Sequence, residues 1–220
     1  MAPSLVIVGT MELTKYGHAC VRLEKDGKVL IIDPGVFTED PVLDDADAVL
    51  ITHAHFDHLD TERLKAASPD IEVWTCAEVA AALTDAPMKI QTVKHGDTFT
   101  TAGFTVSAHG EWHAANHPDM PIANNVGFLV DEELFYPGDA LTVPEARVGT
   151  LLVPTGAPWL KLSEMVEYLR TIRPARAYST HDALYSEVGL TLVDNWLKME
   201  ADRQGADIRR LPLRSPTTLS

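Results

Sequence analysis

Residues 53–60 read HAHFDHLD, with three histidines and two aspartates inside eight positions. Imidazole and carboxylate are the usual ligands of zinc and related first-row metals. His53 and His55 stand two apart, and residues i and i+2 of an extended segment project to the same side. Their rings can therefore converge on one ion. Asp57 and His58 follow where the chain turns toward a helix starting near Leu59, so they can face a second point close by. The apolar run 48–52 leads straight into the cluster and reads as a buried strand. A solvated polar loop would have no need of this spacing. A site for one ion is the simpler alternative to a site for two.

This fragment cannot complete two coordination shells, so further donors must lie downstream. His113 lies in SAHGEWHAANHPD, Asp139 in FYPGDA and His181 in YSTHDA, each just past an apolar strand. His109 and His117 compete with His113. His113 is preferred because the strand 104–108 should run out into a site loop there. His109 reads as a polar position in that strand's continuation, and His117 as a pocket-lining or surface histidine. His18, in GHA, either approaches the pocket or is a structural histidine. No G-x-S-x-G is present, and neither Cys20 nor Cys76 has a histidine partner in sequence, so no serine or cysteine nucleophile is expected.

Strand candidates at 11–17, 19–25 and 28–34 precede the cluster, with Asp26-Gly27 a hairpin signal. A helix over 61–67, a strand over 72–75, a helix over 77–83 and a strand over 89–93 follow it. The second half repeats the theme. Hairpins are expected over 98–108, turned near Ala102-Gly103, and over 125–136, turned at Asp131-Glu132. A strand over 150–153, a helix over 162–172 with Ser163 as cap, a strand over 175–179, a helix over 187–203 and an edge strand over 207–211 complete the order. Two packed sheets with helices outside, in one domain spanning 1–220, are the expectation. The stretch 112–125 should line the pocket wall, with Asn124 and Asn125 capping a turn. Trp159 reads as core packing, with a pocket lid as the alternative. Lys161 reads as a solvated lysine, or one that meets an anionic substrate.

The chain has 220 residues, 18 basic against 32 acidic, for a formal charge of -14. Such a field repels nucleic acid at long range, so a small-molecule substrate is expected. No stretch approaches the length of a membrane span. The start MAPSLVIVGT lacks a charged leader and a cleavage site, with Met11 an alternative start and the first ten residues a loose extension. Cys20 and Cys76 read as buried free thiols. Together these features predict a cytoplasmic protein. A homo-oligomer is left open.

The order H-x-H-x-D-H, then His, then Gly-Asp, then a last His resembles the metallo-β-lactamase fold superfamily, from residue 17 to about residue 189. The opening GHACVRLEKDGKVLIIDPG and the HLD after the metal motif look like the branch holding ascorbate-6-phosphate lactonases and N-acylphosphatidylethanolamine phospholipases D. The resemblance implies an α/β fold, a four-layer αββα sandwich with metals at one edge between the sheets. It implies two divalent ions, zinc first, with manganese or iron as alternatives. One ion would take His53, His55 and His113, and the other Asp57, His58 and His181, with Asp139 bridging. Asp33, in LIIDPG, matches a position that family uses to support the site by accepting a hydrogen bond from a ligand imidazole.

On this reading the chain is a hydrolase. Two ions would share a water, lower its pKa toward 7 and supply hydroxide, with Asp57 orienting the water and moving its proton. The substrate would be a small lactone, an ester or amide, or a phosphodiester. A mononuclear iron dioxygenase of the same fold is the redox alternative. A metal-stabilised binding protein without catalysis is the third. Structural zinc sites are usually closed and cysteine-rich, and this ligand set is neither cysteine-rich nor evidently closed.

Overall fold

The structure is a computed structural model and describes residues 10–219. The first nine residues, where an N-terminal leader and a loose extension were at issue, lie outside the described residues.

The chain builds two half-molecules with one plan. The first contains β1 (Met11–Lys15), β2 (Val21–Lys25), β3 (Lys28–Ile32), β4 (Ala48–Ile51), α1 (Thr61–Ala66), β5 (Glu72–Thr75), α2 (Ala77–Ala82) and β6 (Lys89–Thr92). The second contains β7 (Thr98–Thr101), β8 (Phe104–His109), β9 (Gly127–Val130), β10 (Leu134–Tyr136), β11 (Thr150–Pro154), α3 (Leu162–Ile172), β12 (Arg176–Thr180), α4 (Glu187–Gln204) and β13 (Asp207–Arg209). A last short strand, β14 (Thr217–Leu219), returns to pair antiparallel with β1. The sheet orders are β14-β1-β2-β3-β4-β5-β6 and β13-β12-β11-β10-β9-β8-β7.

Each sheet is antiparallel on one side and parallel on the other. Asp26 and Gly27 both take positive φ and close the β2–β3 hairpin; Asp131 and Glu132 do the same between β9 and β10. Two successive positive-φ residues are the backbone a tight turn between twisted strands requires, in a two-residue loop at β2–β3 and a three-residue loop at β9–β10. β3 to β6 and β10 to β13 then run parallel. Parallel neighbours need long crossovers, and α1 to α4 supply four of them. Parallel strands are buried on both faces, which is why β4 is apolar throughout and β11 is apolar after Thr150, with every residue of both strands buried.

Side chains of alternate strand residues divide the core. Phe128 and Tyr136 face the first sheet and join one cluster with Leu13, Leu30 and Leu50. Their neighbours Leu129 and Phe135 face the other way, under Met165 and Leu169 of α3 and Leu197 of α4. Leu64 of α1 and Val79 of α2 cover the first sheet. The layer order is αββα.

Two expectations need correcting, and one strand was not expected. Helix α3 is capped at Lys161, not Ser163: its first turn closes when the Lys161 amide donates to Glu164 Oε2 at 2.9 Å. The strand expected over 125–130 begins only at Gly127, because Asn125 is drawn into other bonds. Strand β14 had no expectation at all.

Lys15, at the end of β1, crosses to the second sheet. Its side chain is 1% exposed, and its ammonium donates to Asp182 Oδ2 at 2.6 Å and to Ser179 O at 3.0 Å. Removing one partner of a buried pair strands the other charge. Asp182→Ala in the metal-free protein is expected to cost about 3–5 kcal/mol in equilibrium denaturation. The double variant Lys15→Met with Asp182→Leu should recover most of it. An unchanged unfolding midpoint in Asp182→Ala would show that this pair does not tie the sheets.

Candidate metal centre

The donors collect where parallel strands end, the usual place for sites in open α/β sheets. His53, His55, Asp57 and His58 follow β4, Asp33 follows β3, Asp139 follows β10 and His181 follows β12. His113 arrives on the loop after β8. That loop is pinned by two backbone bonds, His113 N–H to Ala123 O at 3.0 Å and Ala114 N–H to Asp139 O at 2.8 Å. His181 N–H donates to His18 O at 2.8 Å, joining the two half-molecules at the centre.

Two glycines permit the crowding. A Cβ on Gly35 would lie 2.0 Å from Asp57 O, so only glycine lets the DPG turn approach the histidine loop. Gly138 takes φ +64°, and a Cβ there would meet Asn125 Oδ1 at 2.4 Å and Thr52 Cβ at 2.7 Å.

Most of the rings are fixed from behind. Asp33, fully buried, accepts from Thr52 N–H at 2.8 Å and from the Thr52 hydroxyl at 2.7 Å, and its Oδ2 lies 2.7 Å from His58 Nδ1. The Thr52 hydroxyl has spent its proton on Asp33. It must therefore accept from His53 Nδ1, 3.0 Å away. His113 Nδ1 donates to Ala114 O, and His181 Nδ1 to Gly156 O at 2.6 Å. In each of these four rings Nδ1 is the donor, and Nε2 is left facing the centre.

What faces the centre lacks partners. Among the described residues, Nε2 of His58, His113 and His181 and Oδ1 of Asp139 are buried without a hydrogen bond. Orphaned buried polar atoms are costly. Donors bound at 2.0–2.1 Å to one tetrahedral ion lie roughly 3.4 Å apart. The spacings here are close to that: His58 Nε2 to Asp139 Oδ1 3.2 Å, His113 Nε2 to Asp139 Oδ2 3.3 Å, His181 Nε2 to Asp139 Oδ2 3.1 Å and to Asp57 Oδ2 3.2 Å, and His53 Nε2 to His55 Nδ1 3.1 Å. Among the described residues, three triads have donor atoms close enough to share a cation: His53, His55 and His113; His53, His58 and Asp139; and His18, Asp57 and His181. The residues fit a metal, and Asp139 spans more than one triad's reach.

Without a cation, protons take its place. Burial disfavours charge on Asp139, yet His58, His113 and His181 outweigh it and hold the carboxyl well below its ordinary range. Asp57 is likewise depressed, burial being overcome by His18 and His181. Burial works against a charged His181, but Asp139 and Asp57 push it up to about 9. His58 rises for the same reason, through Asp139 and Asp33. His53 is held well below its ordinary value by burial and by the neighbouring His58, which outweigh the opposing pull of Asp139.

All seven expected donors, and Asp33 behind them, are brought together. His109 and His117 are not. His109 ends β8 and bonds Ser107 Oγ at 2.9 Å, and His117 is exposed beside Asp119. Trp159 corrects the expectation of plain core packing: its indole N–H donates to Asp139 Oδ2 at 2.9 Å. Asn125 is more than a turn cap. It is buried, accepts the Asp139 N–H at 3.0 Å and donates to Pro137 O at 2.9 Å, which fixes the Gly-Asp turn. Thr52 was missed. Its only signal is its place between a buried strand and the first histidine.

Residues 12–181 match the family described as the β-lactamase superfamily domain. A Mycobacterium tuberculosis protein is 39% identical over 183 residues, covering 79% of this chain and 85% of that one. A Carboxydothermus hydrogenoformans protein described as a UPF0173 metal-dependent hydrolase is 26% identical, covering 81% and 89%. The crystal structure of a Parabacteroides distasonis protein, described as a metal-dependent hydrolase, superposes with a TM-score of 0.73 at 22% identity. It covers 93% of this chain and 94% of that one. The fold is the metallo-β-lactamase sandwich.

Two outcomes follow from the geometry. His181 carries a raised pKa, so its protonated form stabilises the metal-free fold; that contribution is whole below about pH 6.5 and is lost as pH rises through about 9. A cation must displace this proton. Zinc titration calorimetry at pH 7, in two buffers of different ionisation enthalpy, should show about one to two protons released per chain, and affinity should climb toward pH 9. Zero release would contradict the arrangement. Asp33→Ala should weaken zinc binding by about 10- to 100-fold in a chelator competition; an unchanged affinity would remove Asp33 from the site.

Proposed function

The chain belongs to the β-lactamase superfamily domain family, and on that premise we propose that it is a metal-dependent hydrolase with a dinuclear centre, zinc being the first choice of metal. The observation that supports this most is the convergence of buried, unpartnered nitrogen and oxygen donors from both half-molecules. His53, His55 and His113 would hold one ion. Asp57, His58 and His181 would hold the other, with Asp139 between them. Divalent ions bound there supply a water of lowered pKa and polarise a carbonyl or phosphoryl oxygen.

The chain's own residues do the rest. Asp57, ionised at neutral pH, orients the attacking water and receives its proton. Asp139 is kept in place by Trp159 on one side and Asn125 on the other. Val36, Phe37 and Phe56 form an exposed apolar lip beside His18, Phe56 being 62% exposed. This lip suits the apolar part of a small substrate. A small lactone, an ester or amide, or a phosphodiester is the substrate class. Among the described residues no helix is long and apolar enough to cross a membrane. The buried free thiols Cys20 and Cys76 suit a reducing cytoplasm.

A second reading draws on one triad. His53, His58 and Asp139 make a two-histidine, one-carboxylate set, the ligand type of mononuclear non-haem iron oxygenases. Metal counting separates the two. Mass spectrometry should find about two zincs per chain, falling to about one or fewer in Asp139→Ala. The zinc-loaded protein should hydrolyse at least one member of a lactone, ester and phosphodiester panel. Asp57→Asn should lower that rate about 100-fold or more. One iron per chain without hydrolysis would overturn the hydrolase reading and favour oxygen chemistry.

A further inference from the structure

By distance alone, His18 belongs to the metal centre. Its Nε2 lies 3.3 Å from Asp57 Oδ2, it forms a cation-sized triad with Asp57 and His181, and its ring centroid is 3.9 Å from that of His181. It is buried, and among the described residues its Nε2 is without a hydrogen bond of good geometry, Asp57 Oδ2 being the carboxylate within reach. The far side of the ring says otherwise. Behind His58, His113 and His181 stands a carboxylate or carbonyl oxygen, so Nδ1 must donate and Nε2 can offer a lone pair. Behind His18 stands a backbone donor. The Ala183 N–H points at His18 Nδ1 from 3.1 Å. An amide cannot accept there, so His18 Nδ1 holds the lone pair and the ring's proton sits on Nε2.

We propose that His18 is a non-ligating positioning residue, whose Nε2–H donates to Asp57 Oδ2 and fixes the rotation of that carboxylate at the metal centre. A nitrogen that carries a proton cannot ligate a cation. Ligation would require His18 to move that proton to Nδ1, against the Ala183 amide. The device also couples the half-molecules. The backbone of His18 receives the His181 amide, and its ring receives the Ala183 amide two residues later. The β12 exit loop thus sets the tautomer of a histidine that holds the Asp57 carboxylate of the β4 exit loop.

This inference rests on the reading that the surrounding donors bind metal, and the test separates the two. Long-range proton–nitrogen NMR of the full nitrogen-15-labelled chain, with His18 assigned through His18→Gln, reads ring tautomers directly. Spectra of the metal-free chain and of the chain loaded with cadmium-113 should both show His18 protonated at Nε2. In the loaded chain, scalar coupling to cadmium should appear on the ligand histidines and be absent on His18. Coupling on His18 Nε2, or a proton on its Nδ1, would overturn the proposal alone. Absence of coupling on every histidine would overturn the metal reading, with the tautomer still legible. Zinc competition supplies the second readout. His18→Ala should keep the metal stoichiometry while weakening binding by about 10-fold or more. His18→Gln, whose amide nitrogen can still donate, should stay within about threefold of the unmodified chain. Loss of a whole ion in His18→Ala would make His18 a ligand, and unchanged affinity would make it merely structural.

Discussion

The centre depends on one buried carboxylate that has no part in facing it. Asp33 accepts three hydrogen bonds, from Thr52 N–H, the Thr52 hydroxyl and His58 Nδ1. Through Thr52 it also orients His53. A histidine has two nitrogens, and what bonds the one decides what the other can do. Asp33 therefore decides that two rings on the β4 exit loop turn lone pairs inward. Carbonyl oxygens of Ala114 and Gly156 do the same for His113 and His181. The back of the centre is built first, and the front follows from it.

The fold brings those backing groups together. Each half-molecule runs hairpin first and parallel strands after, so the parallel ends of both sheets open at one edge. The strands arrive buried on both faces and cannot shift register without exposing apolar surface. The loops they release are crowded together, and Gly35 and Gly138 mark where chains meet too closely for a side chain. Concentrating Asp33, Asp57 and Asp139 among histidines is expensive in a dry interior. Protons on His58 and His181 offset that cost in the metal-free chain. Divalent cations would offset it more fully, and the two compete for the same nitrogens.

Much of this was legible in the sequence, for local reasons. HAHFDHLD carries its own spacing, and an apolar run before it announces a strand end. The hairpins at Asp26-Gly27 and Asp131-Glu132 are written in turn residues. His113 could be preferred over His109 because β8 had to end before the ring could reach the site. The illegible parts are those fixed by distant backbone. The Ala183 amide that sets the His18 tautomer is 165 residues away in sequence. Trp159 looked apolar because its N–H shows only once Asp139 is beside it. Asn125 reads as a turn residue until the Gly-Asp turn is seen against it. Strand β14 is three residues with no alternation to betray it, and exists because β1 offers an edge.

The central claim is that these orphaned donors surround two cations in the stated division. Anomalous diffraction at the zinc absorption edge, from crystals of the zinc-loaded chain, tests it most directly. The account predicts two peaks about 3.5–4 Å apart, one among His53, His55 and His113, the other among Asp57, His58 and His181, with Asp139 reaching both. A single peak, or a peak bonded to His18 Nε2, would contradict it.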